Sequence, residues 1–405
     1  MLLPISPRAF AVFVALLNWL GVVRRRSHKI ANRIETILIS HPYSSVGDLV
    51  LLLPFLEDIK REWPESAVDI IVGSNASELL EGVTGIRRIF VCGSQNSRFR
   101  IFGFYRRFFR NLLFFRREIM AFDYDLAIAP RWGSIMTSEA VYLCYLSGAP
   151  IRVGYSATVD NGDAALDALL THVARGGSNE HESARSLRLL ERAGLARPKS
   201  VRRTTDGSIQ SLLNVASQYA ASESKLLSHE LNNLQRYGIV SPGATRPFNR
   251  WPLTCFANVV RQIHEKYSLI FLIVGGPSDA DLCGRLAQLV PEVGISIAGA
   301  TNLRQLTYLL SNAELFLGMD SGTAHVAGGL GTKTIVVSPF PVSYREDHPN
   351  SPVRFRPCGP HVRVLQPLNP LPPCFPTCSW DEAHCITQVS PDEVFHAADE
   401  LLRSN

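Results

Sequence analysis

Two doubly wound α/β domains are the fold class that the sequence predicts, and three observations support this prediction. Short apolar runs rich in Val and Ile recur along the chain, with helical stretches between them. These runs lack the strict alternation of half-exposed strands, which is typical of parallel strands buried on both faces. They also form two successive series, and 405 residues are enough for two domains with separate cores.

Each series predicts the strands of one domain. The first comprises residues 36–40, 68–72, 88–91 and 125–129, and the second comprises 238–241, 269–274, 295–298, 315–317 and 334–338. A polar stretch rich in Ser, Asn and Gln separates them and places the domain junction. We therefore expect an N-terminal segment at 1–34, a first domain at 35–205, a linker at 206–236 and a second domain at 237–405. The second domain is expected to end in a terminal helix over 389–402.

The composition indicates an ordered globular protein without a nucleic-acid partner. Hydrophobic residues make up 46% and charged residues 19%, so disorder is not expected. A net charge of +5 is too weak to argue for nucleic acid by itself. Residues 10–23 are apolar and three arginines follow them, but the run is shorter than the roughly 20 residues of a membrane-spanning helix. We expect an interfacial or packed helix there, with a signal anchor as the alternative.

Polar residues follow the first predicted strand, where ligands of open α/β sheets bind. Gly47 and Asp48 close this loop before an apolar helix. Asp48 could cap the helix, as most Asp residues at such a position do. Alternatively, its carboxylate projects into a cleft between the two domains and accepts a proton. Gly47 would allow another group to approach closely.

Two loops of the second domain are suited to a nucleotide. The loop at 241–252 combines small residues with arginines, which suits an anion, although an ordinary surface loop is the alternative. Its candidate residues are Gly243, Thr245, Arg246 and Arg250. Asp279 follows the glycine pair after the next strand and could contact a ribose or a base.

The stretch GMDSGTAHVAGGLGTKTIVV at 318–337 predicts a strand end, a turn and then a helix from Ala324. Exposed N–H groups at a helix N-terminus attract phosphate, and small residues leave the approach open. Asp320 is expected to cap the helix or to bind sugar hydroxyls. His325 is either a packed imidazole or a ligand-binding one. The absence of GxGxxG after the first strand, and of GxxxxGK[ST] anywhere, argues against a dinucleotide enzyme and a P-loop ATPase.

Taken in order, these segments resemble glycosyltransferase family 9, which is typified by ADP-heptose:lipopolysaccharide heptosyltransferases. The resemblance rests on SSVGDLVLLLPFL, FDYDLAIAP, SPGATRPFNRWP, IVGGPSDADL and GMDSGTAHVAGGLGTKTIVV, of which DSGTAHVA is the most specific. It implies a GT-B fold, in which two Rossmann-like domains face each other across a cleft. The first domain would bind the acceptor and the second the nucleotide-sugar.

The resemblance also implies an inverting transfer without a catalytic metal or another cofactor. Asp48 matches the family's general base. The predicted donor-binding residues are Gly243, Thr245, Arg246, Arg250, Asp279, Asp320, Ser321, Gly322, Thr323 and His325. Family members commonly place a lysine two residues before the Trp-Pro pair, where this chain has Asn249. Arg246 or Arg250 would then supply the charge; otherwise the donor differs from ADP-heptose or the activity is reduced.

A basic, Phe-rich stretch at 98–117 indicates where a lipid-linked acceptor would lie. Its spacing is that of an amphipathic helix, suited either to an anionic membrane surface or to a core with a solvated basic face. We place Ser45, Gly47, Arg106, Arg107 and Arg110 on the acceptor and membrane side. This implies a cytoplasmic protein that is peripheral on the inner membrane.

The Pro-rich tail carries Cys358, Cys374, Cys378, His384 and Cys385. Free thiols are the expectation, and a structural metal site is the alternative, because the spacing is not a standard zinc pattern. The leading hypothesis for function is heptosyl transfer from ADP-heptose to an inner-core lipopolysaccharide acceptor. The alternatives are the same chemistry with another nucleotide-sugar, a non-catalytic glycolipid-binding protein and a nucleotide-sugar epimerase.

Overall fold

The computed structural model describes residues 33–92, 118–119, 121–130, 137–160, 164–177, 179–195, 209–223, 236–343, 351–374 and 381–404. The chain divides into two compact units. One comprises Met1–Ser45 and Leu52–Val201, and the other comprises Val46–Leu51 and Arg202–Asn405. The predicted domain limits, and the expected cleft between the domains, stay predictions.

The described part of the first unit contains a six-stranded parallel sheet in the order β3-β2-β1-β4-β5-β6. Its strands are β1 (Thr36–His41), β2 (Ala67–Gly73), β3 (Ile86–Cys92), β4 (Leu126–Ala129), β5 (Ile151–Tyr155) and β6 (His172–Ala174). Its helices are α1 (Val46–Glu62), whose first six residues cluster with the second unit, α2 (Thr137–Leu146) and α3 (Glu182–Arg192). Short 3-10 helices lie at Ser77–Gly82, Ala157–Asp160 and Ala164–Leu169.

The second unit repeats this strand order with different strands. Its described sheet is parallel, in the order β12-β11-β10-β7-β8-β9. The strands are β7 (Tyr237–Ser241), β8 (Ile270–Ile273), β9 (Gly294–Ser296), β10 (Leu315–Met319), β11 (Thr334–Val337) and β12 (Val362–Leu365). The helices are α4 (Gln210–Glu223), α5 (Leu253–Tyr267), α6 (Ala280–Leu289), α7 (Leu303–Asn312), α8 (Gly322–Leu330), α9 (Pro352–Phe355) and α10 (Pro391–Arg403). Short 3-10 helices lie at Pro247–Asn249, Pro277–Asp279 and Cys385–Gln388.

The central strands of both sheets are buried on both faces, because successive residues point to opposite faces and nearly all of them are buried. Every residue of β4, β7, β10 and β11 is buried, and so is all of β1 after Thr36. Burial of these whole strands agrees with apolar sequence runs that lack alternation of polar and apolar residues. All nine predicted strands are present and the doubly wound α/β prediction is confirmed, while β5, β6 and β12 were not predicted.

Local capping signals begin two helices around the second sheet. Asn302 accepts from the N–H of Gln305 at 2.8 Å, and the Gln305 side chain accepts from the N–H of Asn302 at 2.9 Å, which forms a capping box for α7. Ser390 and Glu393 form another at the start of α10, so the predicted terminal helix is confirmed. Such reciprocal bonds satisfy N–H groups that have no acceptor within the helix.

The stretch predicted as a linker contains α4, which packs inside the second unit. The ring of Tyr219 on α4 lies 5.4 Å from that of Tyr308 on α7. The N–H of Ile209, just before α4, donates to the carbonyl of Gly329 on α8 at 2.6 Å. The polar composition of this stretch therefore accompanies a helix with one buried face.

Candidate active site

The predicted donor-binding residues gather at one edge of the second sheet. β7 and β10 are parallel neighbours, and the strand order reverses between them. In open α/β sheets, ligands bind beyond the carboxyl ends of the strands at such a switch point. Gly243 to Arg250 follow β7, Asp279 follows β8, and Asp320 to His325 follow β10. The fold thus places all ten residues at the edge where a ligand is expected.

The turn after β10 presents the N-terminus of α8. The helix begins at Gly322, two residues earlier than expected, and its cap is Ser321 rather than Asp320. The Ser321 side chain accepts from the N–H of Ala324 at 3.4 Å. The N–H groups of Gly322 and Thr323 have no acceptor within the helix, because they lie in its first turn. This turn can therefore donate to an anionic oxygen.

His325 connects this turn to its surroundings. The imidazole is buried, and its Nε2 lies 3.6 Å from Oδ1 of Asp320. Its Nδ1 is also buried and has no hydrogen-bond partner among the described residues. Asp320 itself is exposed at the strand end. A ligand at the turn would therefore meet a carboxylate with an imidazole behind it.

The first turn of α1 packs against the start of α8 inside the second unit. A Cβ atom at Gly322 would lie 2.7 Å from Cβ of Val46, and a Cβ atom at Gly47 would lie 2.8 Å from Cδ2 of His325. Both glycines are needed for this approach, which agrees with the expected role of Gly47. Asp48, the next residue, is half-buried in the first turn of α1 and is not its N-cap.

The loop after β7 holds two arginines in different ways. Arg250 Nε donates to the carbonyl of Ala244 at 3.0 Å, so this guanidinium closes the loop on itself. Arg246 is exposed and lies over the ring of Phe248, with Cζ 5.6 Å from the ring centroid. Arg246 is therefore the more accessible of the two charges for a ligand phosphate.

Trp251 anchors this loop, a role that sequence reasoning missed. Its side chain is 1% exposed and its Nε1 donates to the carbonyl of Val389 at 2.9 Å. Its backbone N–H donates to Sδ of Met319 at 3.4 Å, at the end of β10. The loop after β7 is thus tied both to the strand that precedes Asp320 and to the C-terminal segment. The signal available in the sequence was the Trp itself, because a Trp is usually buried and its indole N–H then needs a hydrogen-bond partner.

Asp279 packs between the loops after β7 and β8. Its Oδ2 accepts from the N–H of Gly276 at 3.3 Å, and a Cβ atom at Gly243 would lie 3.0 Å from its Cγ. Nearby, burial and the charge of Asp279 raise the pKa of the Cys283 thiol to about 11. A carboxylate at a strand end, beside glycines, is suitably placed for ribose hydroxyls.

The predicted acceptor-side residues are only partly described. Ser45 belongs to the first unit and is exposed just before α1. Arg106, Arg107 and Arg110 lie outside the described residues, as does the apolar segment 10–23. Across the described ranges, every helix is too short or too polar to cross a bilayer.

Comparison with known proteins decides the family. The model of Glycosyltransferase family 9 (heptosyltransferase) matches residues 116–377, which is more than half of the chain. The chain belongs to glycosyltransferase family 9. It is therefore a glycosyltransferase, and the resemblance drawn from its motifs is confirmed. A purely binding role and an epimerase role are not supported.

Relatives with known names and structures agree with this membership. The transferase is 23% identical over 302 residues to lipopolysaccharide heptosyltransferase 3 of Escherichia coli (strain K12), covering 73% of this chain and 79% of that one. The structure of E. coli heptosyltransferase WaaC with ADP superposes with a TM-score of 0.67 at 16% identity, covering 90% and 99% of the two chains. A family 9 glycosyl transferase from Veillonella parvula gives 0.66 at 18% identity, covering 92% and 98%. At these identities the structures establish the GT-B fold.

Proposed function

We propose that this transferase moves a heptosyl group from ADP-heptose to an inner-core lipopolysaccharide acceptor, with inversion at the anomeric carbon. Lipopolysaccharide heptosyltransferase 3 of E. coli, which aligns with 73% of the chain, supports the substrate class. One observation carries the mechanism. The turn that can bind a diphosphate packs against Val46 and Gly47, so Asp48 lies one residue from that contact.

Asp48 acts as the general base in this proposal. The acceptor oxygen attacks the anomeric carbon while the bond from that carbon to the diphosphate oxygen breaks. The hydroxyl proton passes to the Asp48 carboxylate, and the electron pair of the broken bond leaves with the nucleoside diphosphate. A positioned base contributes about 10²–10⁴ to the rate of such a step.

The start of α8 stabilises the leaving group. The departing diphosphate gains negative charge, and the N–H groups of Gly322 and Thr323, with the helix dipole, donate to it. The Ser321 hydroxyl accepts from the N–H of Ala324 as the helix cap. The residues that line the approach to the turn are small. Asp320 and His325 would bind sugar hydroxyls. The Asp320 carboxylate would repel a phosphate at close range, so it is not expected to contact the diphosphate.

The loop after β7 binds the nucleotide end of the donor. Arg246 is exposed and pairs with phosphate, whereas Arg250 maintains the loop through Ala244. Gly243 and Thr245 complete the contact surface, and Asp279 holds the ribose. Asn249 replaces the lysine common in the family, and this difference favours the second candidate, the same chemistry with another nucleotide-sugar.

The acceptor is a lipid-linked saccharide in this proposal, so the enzyme works as a peripheral protein on the cytoplasmic face of the inner membrane. We expect the basic residues Arg106, Arg107 and Arg110, together with Ser45 and Gly47, to contribute to binding of the acceptor or the membrane surface. Several arginines near a membrane surface bind anionic lipid with about 1 kcal/mol each.

Release of nucleoside diphosphate tests this proposal. The full chain is incubated with ADP-heptose, or with ADP-, GDP- and UDP-hexoses, in the presence of lipopolysaccharide truncated at each inner-core position. We expect release above hydrolysis only with ADP-heptose and one truncated acceptor, together with a mass gain of one heptose in that acceptor. Release with a hexose donor alone would favour the second candidate, and release without acceptor dependence would contradict both.

A further inference from the structure

A cluster of two cysteines and one histidine lies in the C-terminal tail, away from the loops described above in sequence. Cys374 Sγ is 3.2 Å from Nδ1 of His384, and Cys385 Sγ is 3.6 Å from the same nitrogen. All three ligand atoms lie within 4.8 Å of one another. Ligands at about 2.0–2.3 Å from a tetrahedral zinc ion are separated by roughly 3.3–3.8 Å, so this spacing is close to that of a bound set.

The two thiols of the cluster are buried and the imidazole is half-buried, so the site is largely shielded from solvent. Cys374 is 3% exposed and Cys385 is 2% exposed. The backbone N–H of Leu371 donates to Sγ of Cys385 at 3.4 Å, and a bond of this kind orients a metal-bound sulfur. Gln388 Nε2 donates to the carbonyls of Asn369 and Cys385, at 2.7 and 3.2 Å. These bonds hold the two ends of the tail together independently of any ion.

The C-terminal tail also contacts Trp251, which anchors the loop after β7. Ile386 and Val389 follow the cluster directly and are buried in the core of the second unit. The carbonyl of Val389 accepts from Nε1 of Trp251 at 2.9 Å. A cross-link at Cys374, His384 and Cys385 would therefore restrain the segment against which Trp251 is anchored.

We propose that Cys374, His384 and Cys385 supply three of the four ligands of one zinc ion with a structural role. Two sulfurs and an imidazole nitrogen are soft and borderline ligands that zinc prefers over magnesium or calcium. On binding, each thiol releases its proton to solvent and each sulfur coordinates as a thiolate. The site is separate from the proposed catalytic step, since none of its ligands lies at the strand ends of the switch point. In this proposal Cys374 and Cys385 are zinc ligands and not the free thiols that the sequence led us to expect.

Metal content of the full chain tests the proposal. The protein is purified under reducing conditions without chelator, loaded with zinc, desalted and measured by inductively coupled plasma mass spectrometry. We expect about one zinc per chain, as for a structural zinc site. Cys374→Ser, His384→Ala and Cys385→Ser should each lose most of it. Cys255→Ser is the matched control, because this thiol, whose pKa is raised by burial, lies on α5 outside the cluster and should not affect zinc content.

Two further measurements keep the test decisive if a variant fails to fold. Cobalt added to the wild-type chain should give thiolate-to-metal charge-transfer absorption, and a zinc chelator should lower the melting temperature of wild type. A Cys374–Cys385 disulfide that forms in place of metal binding would overturn the proposal. So would a wild-type chain without stoichiometric zinc after loading, or one whose zinc content is unchanged in all three variants.

Discussion

Carboxylates lie both near the amino ends and beyond the carboxyl ends of the parallel strands, and their environments differ. Near the amino end of β2, Asp69 is fully buried and accepts from Arg87 at 2.8 and 2.6 Å and from Tyr124 Oη at 2.9 Å. Before β4, Oδ2 of Asp125 accepts from the N–H of Glu35 and from both the N–H and the hydroxyl of Thr36, each at 2.9 Å. These carboxylates join strands to one another.

Beyond the carboxyl ends, Asp48 and Asp279 are half-buried and Asp320 is exposed. Glycines lie close to Asp279, and Nε2 of His325 lies 3.6 Å from Oδ1 of Asp320. The contrast teaches that a carboxylate surrounded by cations and hydroxyls joins strands, whereas the carboxylates beside small, open backbone are those for which we propose roles in binding and catalysis. Around Asp69 the burial is deep enough that desolvation, and then the Asp69 charge, raise the pKa of Tyr124.

Replacing Asp48 should produce the largest effect on catalysis. Asp48→Asn keeps the shape but removes the basic oxygen, so kcat should fall by about 10³-fold. The melting temperature should change little, because a carboxylate in the first helical turn contributes only about 0.3–1 kcal/mol. Nucleoside diphosphate release and thermal unfolding measure the two quantities.

Glu57→Gln is the matched control for this variant. Glu57 lies on the same helix, partly buried, and its loss should leave kcat within about twofold. If Asp48→Asn retains full turnover, Asp48 belongs with the structural carboxylates and the contrast between the edges fails at this position.

Replacing Asp69 should produce the opposite pattern. Asp69→Asn leaves Arg87 and Arg88 without their buried counter-charge, and the free energy of unfolding should fall by on the order of 3 kcal/mol. The folded enzyme should keep its kcat. Chemical denaturation and activity below the transition measure this. Arg61→Gln, which removes the exposed guanidinium that lies 3.6 Å from Asp58, should cost less than about 1 kcal/mol. Equal losses in the two variants would contradict the structural assignment of Asp69.

Substitution at Gly47 should have the smallest of the three effects. A Cβ atom there displaces His325, so Gly47→Ala should lower kcat/KM about tenfold, which is about 1.4 kcal/mol. In a His325→Ala background the same substitution should have a smaller effect, with a coupling energy of about 1 kcal/mol in a double-mutant cycle. Strict additivity would show that the two residues do not act through this contact.

Much of the fold followed from local pattern. The nine predicted strands are apolar runs, and most are central or next to the centre of a sheet. The strands that were missed, β5, β6 and β12, are IRVGY, HVA and VRVL, which are short or interrupted by a charged residue or glycine. Each lies toward the end of its sheet, where one edge or face is less buried and apolar composition is less constrained.

The site was predictable as a set of loops but not as a set of contacts. Small residues after a strand identified 320–325 and 243–250, because close backbone approach requires them. The choice of Ser321 over Asp320 as cap was not predictable, since either residue type can cap a helix. Nor was the burial of Asp69 with Arg87 and Tyr124, which are 18 and 55 residues away in sequence.

The sequence by itself determined the α/β class, the successive domains, the family and the residue types at the strand ends, because these depend on local periodicity and on motifs within short windows. Only the tertiary structure decided which groups meet, such as His325 with Gly47 and Trp251 with Val389. The physical reason is that such contacts form between segments far apart in sequence. Their distances are fixed by strand order and helix packing, which no short stretch of residues specifies alone.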